Sequence, residues 1–586
     1  MNAFSVKHPW AWLLAAALSV SALPASLLAA ERGALDPGRV TVPDDLGQRS
    51  SPSRMPGSLE IEATRVTPGD EQLYEEPRMQ EPKPGVATPF QVNKIHLVGV
   101  TRYPAGTFQP LLAGLERRKV TLAEINAVAE QITQRYRQDG YLLVRSFVPA
   151  QQVTDGQLTL KVIEGRVNAV KVNGKSNRRI EGYAENIRKE APVKGATLER
   201  NLLLINDLSG YDARGSLTAS PELEGTDLAV DTELRKVEGF VGFDNRDSRY
   251  FGPWQMYGGV GINDPLGLGD HLSIRAGRSV EGNKMQFYEG QYELPLGNQG
   301  TVLELLGQHN DGHADTFSFL NANSSGDTLA ARIIHPWIRS RAETLKTSLA
   351  FTWFNGESEY LDDPHLPPST SDKIRALRLG ASYDWTDRHG GRNLFKAELS
   401  KGLDVMGASK ENRLNPSRLE GETDFSKLQV DAQRIQDLSG LLEGLNLYMA
   451  VSAQTSFGQP LLAPEQFGVG GSHFGRGYDP SEITGDSGAA GKVELQYNRV
   501  HALNGYAVPT QYYGYWDIGK VWSEEPSFID SESLASAGFG VHLQVAKDMF
   551  LSPELAFPLT RTVSAEEQDG QNGKEPRFYI NFLKLF

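Results

Sequence analysis

The 586-residue chain contains no cysteine, so it can hold neither a disulfide framework nor a thiolate metal site. Beyond Ala30 it has no apolar run of the roughly 20 residues that a spanning helix needs. It also lacks a basic tract. With 59 basic and 73 acidic residues its net charge is −14, a balance that argues against a nucleic-acid partner. The eleven histidines form no H-E-x-x-H pair, the spacing that sets two imidazoles on one helix face around zinc.

What is present begins with an address. Lys7 precedes the apolar stretch Trp12–Leu23, and small residues run on to Ala30. Residues 1–30 therefore read as an export signal, the alternative being an anchor helix. Residues 31–89 hold nine prolines and no sustained periodicity; they read as a spacer, with room for a short plug helix between Ser58 and Met79.

Residues 90–165 change texture. QVNKIHLVGV reads as a strand and a short helix follows near Phe108–Leu115. A longer helix begins at Thr121, where Thr121 and Glu124 make a T-x-x-E capping box. Its expected apolar stripe is Leu122, Ile125, Val128, Ile132 and Tyr136. The segments YLLVRSFVPA and GQLTLKVIEG close the unit as strands. Residues 166–235 repeat the order strand, helix, helix, strand, strand, with matching helix starts at Thr121 and Thr197. A repeat of about 76 residues reads as duplicated modules rather than one larger α+β domain.

From about Lys236 to Phe586 the period shortens to two. In WQMYGGVGIN, Trp254, Met256, Val260 and Ile262 share one face, while Gln255, Tyr257 and Asn263 share the other. About sixteen such segments can be counted, joined by links that alternate short and long. DPLGLGD and VAKD are short; residues 309–327, 355–372 and 402–424 are long. A soluble β domain has no reason to put its long links at every second position, whereas an outer-membrane barrel does, and closure removes the edges that lipid cannot satisfy. The fold class expected is α+β modules followed by an all-β, 16-stranded membrane barrel over residues 236–586.

This arrangement resembles the outer-membrane transporters of two-partner secretion, within the POTRA-barrel superfamily. The two modules resemble POTRA domains, and GQLTLKVIEGRV is similar to a phrase of that family. The family's sixth extracellular loop folds into the barrel and carries a V-R-G-[FY]-like motif. Arg476, Gly477 and Tyr478 match it, within a tip at residues 471–488, and Gly475 stands in place of the usual apolar residue. The inner-wall pattern aromatic-x-D-x-G is matched by Tyr515, Asp517 and Gly519. The resemblance implies an Arg476–Asp517 pair, in which a guanidinium can meet a carboxylate bidentately. The C-terminal strand, with Phe582 and Phe586, resembles the signal read by the barrel-assembly machinery, although Lys584 departs from the pattern. Lys584 could snorkel if it lies near an interface.

The resemblance further implies a protein translocator without catalytic residues, cofactor or metal. Its partners would be outer-membrane lipid and one large exoprotein, an adhesin or haemolysin, carrying an N-terminal secretion domain. An insertase of the same superfamily and a diffusion porin are the alternatives. Other motifs carry less. GDSG (Gly485–Gly488) resembles a serine-protease segment but lacks a His/Asp context. The glycine-rich tip lacks the G-x-x-x-x-G-K-[ST] order of a phosphate loop. Asp362 and Asp363 beside His365 sit among prolines and serines and read as solvated loop.

Overall fold

The computed structural model describes residues 74–75 and 88–586, apart from 221–224, 250–251, 283, 315–321, 360–369, 410–414, 504–505, 526–529, 561–562 and 564–574. The expected signal, most of the spacer, its plug helix and the Asp362–His365 cluster lie outside the described residues.

The first module packs the helices Gln109–Ala113 and Leu122–Gln138 on a sheet of three strands, Lys94–Val98, Gln157–Glu164 and Val144–Phe147. The capping box forms: Thr121 accepts from the Glu124 amide, and Glu124 accepts from the Thr121 amide. Ile125, Ile132 and Tyr136 are buried in the core and Val128 packs partly against it. Leu122 does not belong to that stripe. It is 48% exposed, because the first helical residue projects beyond the sheet that its later turns cover.

Glu164, at the end of the family-like phrase, ties this module together. Its carboxylate accepts from the amides of Thr101 (2.7 Å) and Arg102 (3.0 Å) and from the Tyr136 hydroxyl (2.5 Å). Burial raises its pKa, but the hydrogen bonds from Thr101, Tyr136 and Arg102 outweigh that and hold it below the usual value. A lowered folded pKa gives stability that is complete above the unfolded value of about 4.3 and is lost as pH falls through the folded value. Glu164→Gln is expected to cost about 2 kcal/mol at neutral pH. It should also flatten the acid limb of the thermal-unfolding profile between neutral pH and pH 3, measured on the periplasmic portion.

The second module sets the helices Arg178–Lys189 and Gly195–Asn206 against strands Arg166–Gly174, Tyr211–Ala219 and Gly225–Leu234. The spacer adds to it: Tyr74–Glu75 pairs in parallel with Gly215–Ser216 at the free edge of this sheet. The sequence leaves these two residues in a spacer with room for a short helix between Ser58 and Met79; they form a strand. The edge supplies unpaired backbone groups that an extended segment of almost any sequence can satisfy, which is why no periodicity announces it.

Sixteen antiparallel strands, from Val237–Asp244 to Arg577–Leu585, close into a barrel. The alternating faces separate as the two-residue period requires. Met256 is 51% exposed and Tyr257 5%, so the first faces lipid and the second the lumen. The short turns lie on the side of the modules, and the second module rests on them. Tyr211 donates to Asp264 (2.6 Å), Arg200 to the carbonyl of Pro336 (2.7 Å), and Arg339 pairs with Asp207 (2.6 Å).

Two of the expected long loops are partly strand. Thr301–Ala314 pairs with Ala322–Arg339, and Glu343–Glu359 with Thr370–Thr386. Where a hairpin rises beyond the lipid, water covers both faces; the apolar alternation stops although the ladder continues. Lys584 lies on the lipid face near the periplasmic turn, and its ammonium donates to the Lys547 carbonyl (3.1 Å). Phe586 and Gly239 exchange backbone hydrogen bonds at the same end of the barrel.

Candidate functional site

The loop between strands Leu445–Thr455 and Ser487–Leu503 is the sixth on the side away from the modules. It turns into the lumen as a small hairpin in which Phe467–Val469 pairs with Ile483–Gly485. Positive φ angles at Gly470 (125°), Gly471 (85°) and Gly475 (80°) bend its tip. The Gly475 angle explains why glycine stands where the family usually has an apolar residue: an L side chain there would be strained.

At the tip, Arg476 is 4% exposed. Its Nε donates to Asp517 (3.0 Å) and its Nη1 to Glu494 (2.7 Å). The guanidinium carbon lies 3.2 Å from the centroid of the Tyr515 ring, a cation–π contact in a dry site. The expected two-bond fork on Asp517 is therefore replaced by sharing between two carboxylates. Asp517 also accepts from Ser536, and Tyr515 donates to Glu554 (2.9 Å). Wall alternation sets Tyr515 and Asp517 inward, with Trp516 and Ile518 exposed outward.

The small residues of both motifs have steric reasons. A Cβ on Gly477 would lie 2.8 Å from the Pro558 nitrogen, and one on Gly519 would lie 2.5 Å from Val469 Cγ1. Each glycine lets the loop backbone lie directly on the wall. Tyr478 is fully buried, and its hydroxyl accepts from the Thr560 amide (3.2 Å). Phe582 and Phe586 lie far from this cluster, on the last strand and its end, pointing outward.

Sequence reasoning missed the anchors of the loop's stem. Glu465 pairs with Arg378 (2.7 Å) and Lys427 (2.6 Å), all three buried. Asp486, inside the GDSG segment, is fully buried; it pairs with Arg418 and accepts from the amides of Leu461 (2.8 Å) and Glu524 (2.7 Å). Glu494 had a signal: in KVELQYN, Lys492, Glu494, Gln496 and Asn498 alternate with Val493, Leu495 and Tyr497, which puts it on the polar face of its strand. Glu465 had none. Among the described residues no group of three or more histidine and acidic side chains is arranged to hold a metal ion. What the site can do is mechanical: fix a loop across a lumen by buried charges.

Residues 225–543 match the family described as Haemolysin secretion/activation protein ShlB/FhaC/HecB, and residues 90–165 match the POTRA domain, ShlB-type. The heme/hemopexin transporter protein HuxB of Haemophilus influenzae (strain 86-028NP) is 21% identical over 484 residues, covering 80% of this chain and 82% of the relative. The outer membrane transporter CdiB of Dickeya dadantii (strain 3937) is 25% identical over 398 residues, covering 66% and 68%. Among solved structures, CdiB from Escherichia coli superposes with a TM-score of 0.70 at 20% identity, covering 88% of this chain and 94% of that one. The chain belongs to the ShlB/FhaC/HecB family of secretion proteins and is an outer-membrane transporter of the two-partner secretion type, with its POTRA domain in the periplasm.

Proposed function

We propose that this transporter exports one cognate large exoprotein, of the adhesin or haemolysin class, and catalyses no reaction. Both modules act as POTRA domains that hold the exoprotein's N-terminal secretion domain in the periplasm. The exoprotein then threads the barrel in an extended state. ATP is absent from the periplasm, so folding of the exported chain outside the cell draws it through. Phe582 and Phe586 present the last strand to the barrel-assembly machinery, and the outward residues contact outer-membrane lipid.

The observation that carries this reading is the second module seated on the periplasmic turns of a barrel whose lumen is crossed by a charge-anchored loop. A receiving platform thus adjoins a lumen that a loop enters and binds by buried charges. Relatives named as the hemolysin transporter protein HpmB of Proteus mirabilis and as CdiB accord with it. Removing residues 90–235 tests it: secretion should stop while the barrel still assembles and conducts ions in planar bilayers. Undiminished secretion would refute the reading, and a diffusion porin would lose nothing by the deletion.

A further inference from the structure

The shortest ladder of the barrel is the seam that joins its first and last strands: five register pairs, from Phe240–Leu585 to Asp244–Asn581, continued by the backbone bonds between Gly239 and Phe586. The adjoining ladder of the first strand has eight pairs. At the extracellular end of the seam the backbone ladder gives way to side chains. The Asn245 carboxamide acts as one more peptide group, donating to the Phe578 carbonyl (2.8 Å) and accepting from the Ile580 amide (2.8 Å).

Two ionic clasps then cross the same joint from inside. Asp479, next to the Arg-Gly-Tyr tip, binds Arg249 of the first extracellular loop (2.5 Å) and Arg577 of the last strand (3.0 Å). One carboxylate of the inward loop thus bridges the two sides of the seam. Below it, Arg246 reaches over the last strand, 4.6 Å from the Tyr579 ring centroid, to Glu554 on the strand before it (2.7 Å). Glu554 accepts from Tyr513 and Tyr515 (2.7 and 2.9 Å), and Tyr515 carries Arg476. Seam and loop tip are therefore parts of one buried network.

We propose that the sixth loop is the clasp of the barrel seam: with its tip seated, Asp479 holds the first and last strands together, and withdrawal of the tip loosens that joint. Tip position and seam closure are then a single equilibrium, a coupling that does not depend on what is exported. Asp479 is a positioning residue in this scheme. Its carboxylate binds both guanidinium groups, whereas Glu482, a second carboxylate of the loop nearby, pairs with Arg249 at a longer 3.5 Å.

Hydrogen exchange of the full-length protein in lipid nanodiscs tests the coupling. Asp479→Asn should speed exchange of the amides of 240–244 and 581–585 by about tenfold or more, and leave the opposite wall, 426–437, unchanged. Acceleration confined to residues 471–486 would overturn the proposal. Arg249→Gln with Arg577→Gln should loosen the same amides, and adding Asp479→Asn to that pair should add nothing, because one contact is lost only once. Summed effects would overturn it. If Asp479→Asn does not assemble, Val241→Cys with Lys584→Cys supplies a covalent seam in a chain with no other cysteine. The two residues are register partners at a spacing that a disulfide spans. The disulfide should restore assembly; failure to restore it would count against the clasp.

Discussion

Arg476→Ala should reduce export of the cognate exoprotein at least about tenfold, because it leaves two buried carboxylates facing each other without their cation. Asp517 and Glu494 both depend on that guanidinium, and removing one partner of a buried pair costs about 3–5 kcal/mol. The tip then leaves its seat, the loop no longer holds a defined path across the lumen, and the resting pore opens. A simple charge swap will not reverse this. In Arg476→Glu with Asp517→Arg, the new carboxylate faces Glu494 as well as the new arginine. Rescue should therefore be partial, and adding Glu494→Gln should improve it. Immunoblots of exoprotein in the medium, normalised to assembled barrel, separate these outcomes. Full rescue by the two-residue swap would mean that Glu494 contributes nothing. Normal export by every single variant would remove the lock from the mechanism.

The architecture was readable because it follows from periods. A two-residue alternation with alternating link lengths leaves only a closed barrel in lipid, and a repeated helix start marks the modules. Arg476 and Asp517 were readable because the segments that carry them resemble the family's loop and wall motifs, and charge on a lumen-facing position needs a partner. The rest depends on distances that sequence does not encode. Glu465 follows a proline and precedes a glycine-rich run, where a solvated carboxylate is the ordinary expectation; it is buried because two cations from Arg378 and Lys427 wait on the wall opposite. Asp479 is one residue past a recognised motif, yet its partners, Arg249 and Arg577, lie some 230 and 100 positions away and meet it only when the barrel closes. The edge strand at Tyr74–Glu75 is invisible for the opposite reason, since backbone pairing asks nothing of side chains.

The stem of the loop offers a contrast with its tip, and the second large effect is expected there. Among the described residues Glu465 lies nearest to both buried cations, at 2.7 and 2.6 Å, and Glu398 stands farther off, 3.9 Å from Arg378. Glu465→Gln should therefore destabilise the folded barrel by about 3–5 kcal/mol, because two buried positive charges lose their counter-ion. Lys427→Met should do little, since Arg378 and Glu465 remain a matched pair with hydrogen bonds to Thr352 and Ser400 intact. Replacing all three, with Arg378→Met, Lys427→Met and Glu465→Leu, should recover most of the loss, as apolar groups of similar volume commonly do for a buried ionic cluster. The temperature at which the barrel loses its compact gel mobility in detergent reports each step. Sensitivity of cells to a large antibiotic reports the pore. Glu465→Gln frees the stem while Arg476 still pins the tip, so antibiotic entry should rise with export retained. Loss of export equal to that of Arg476→Ala would show that stem and tip must move as one body.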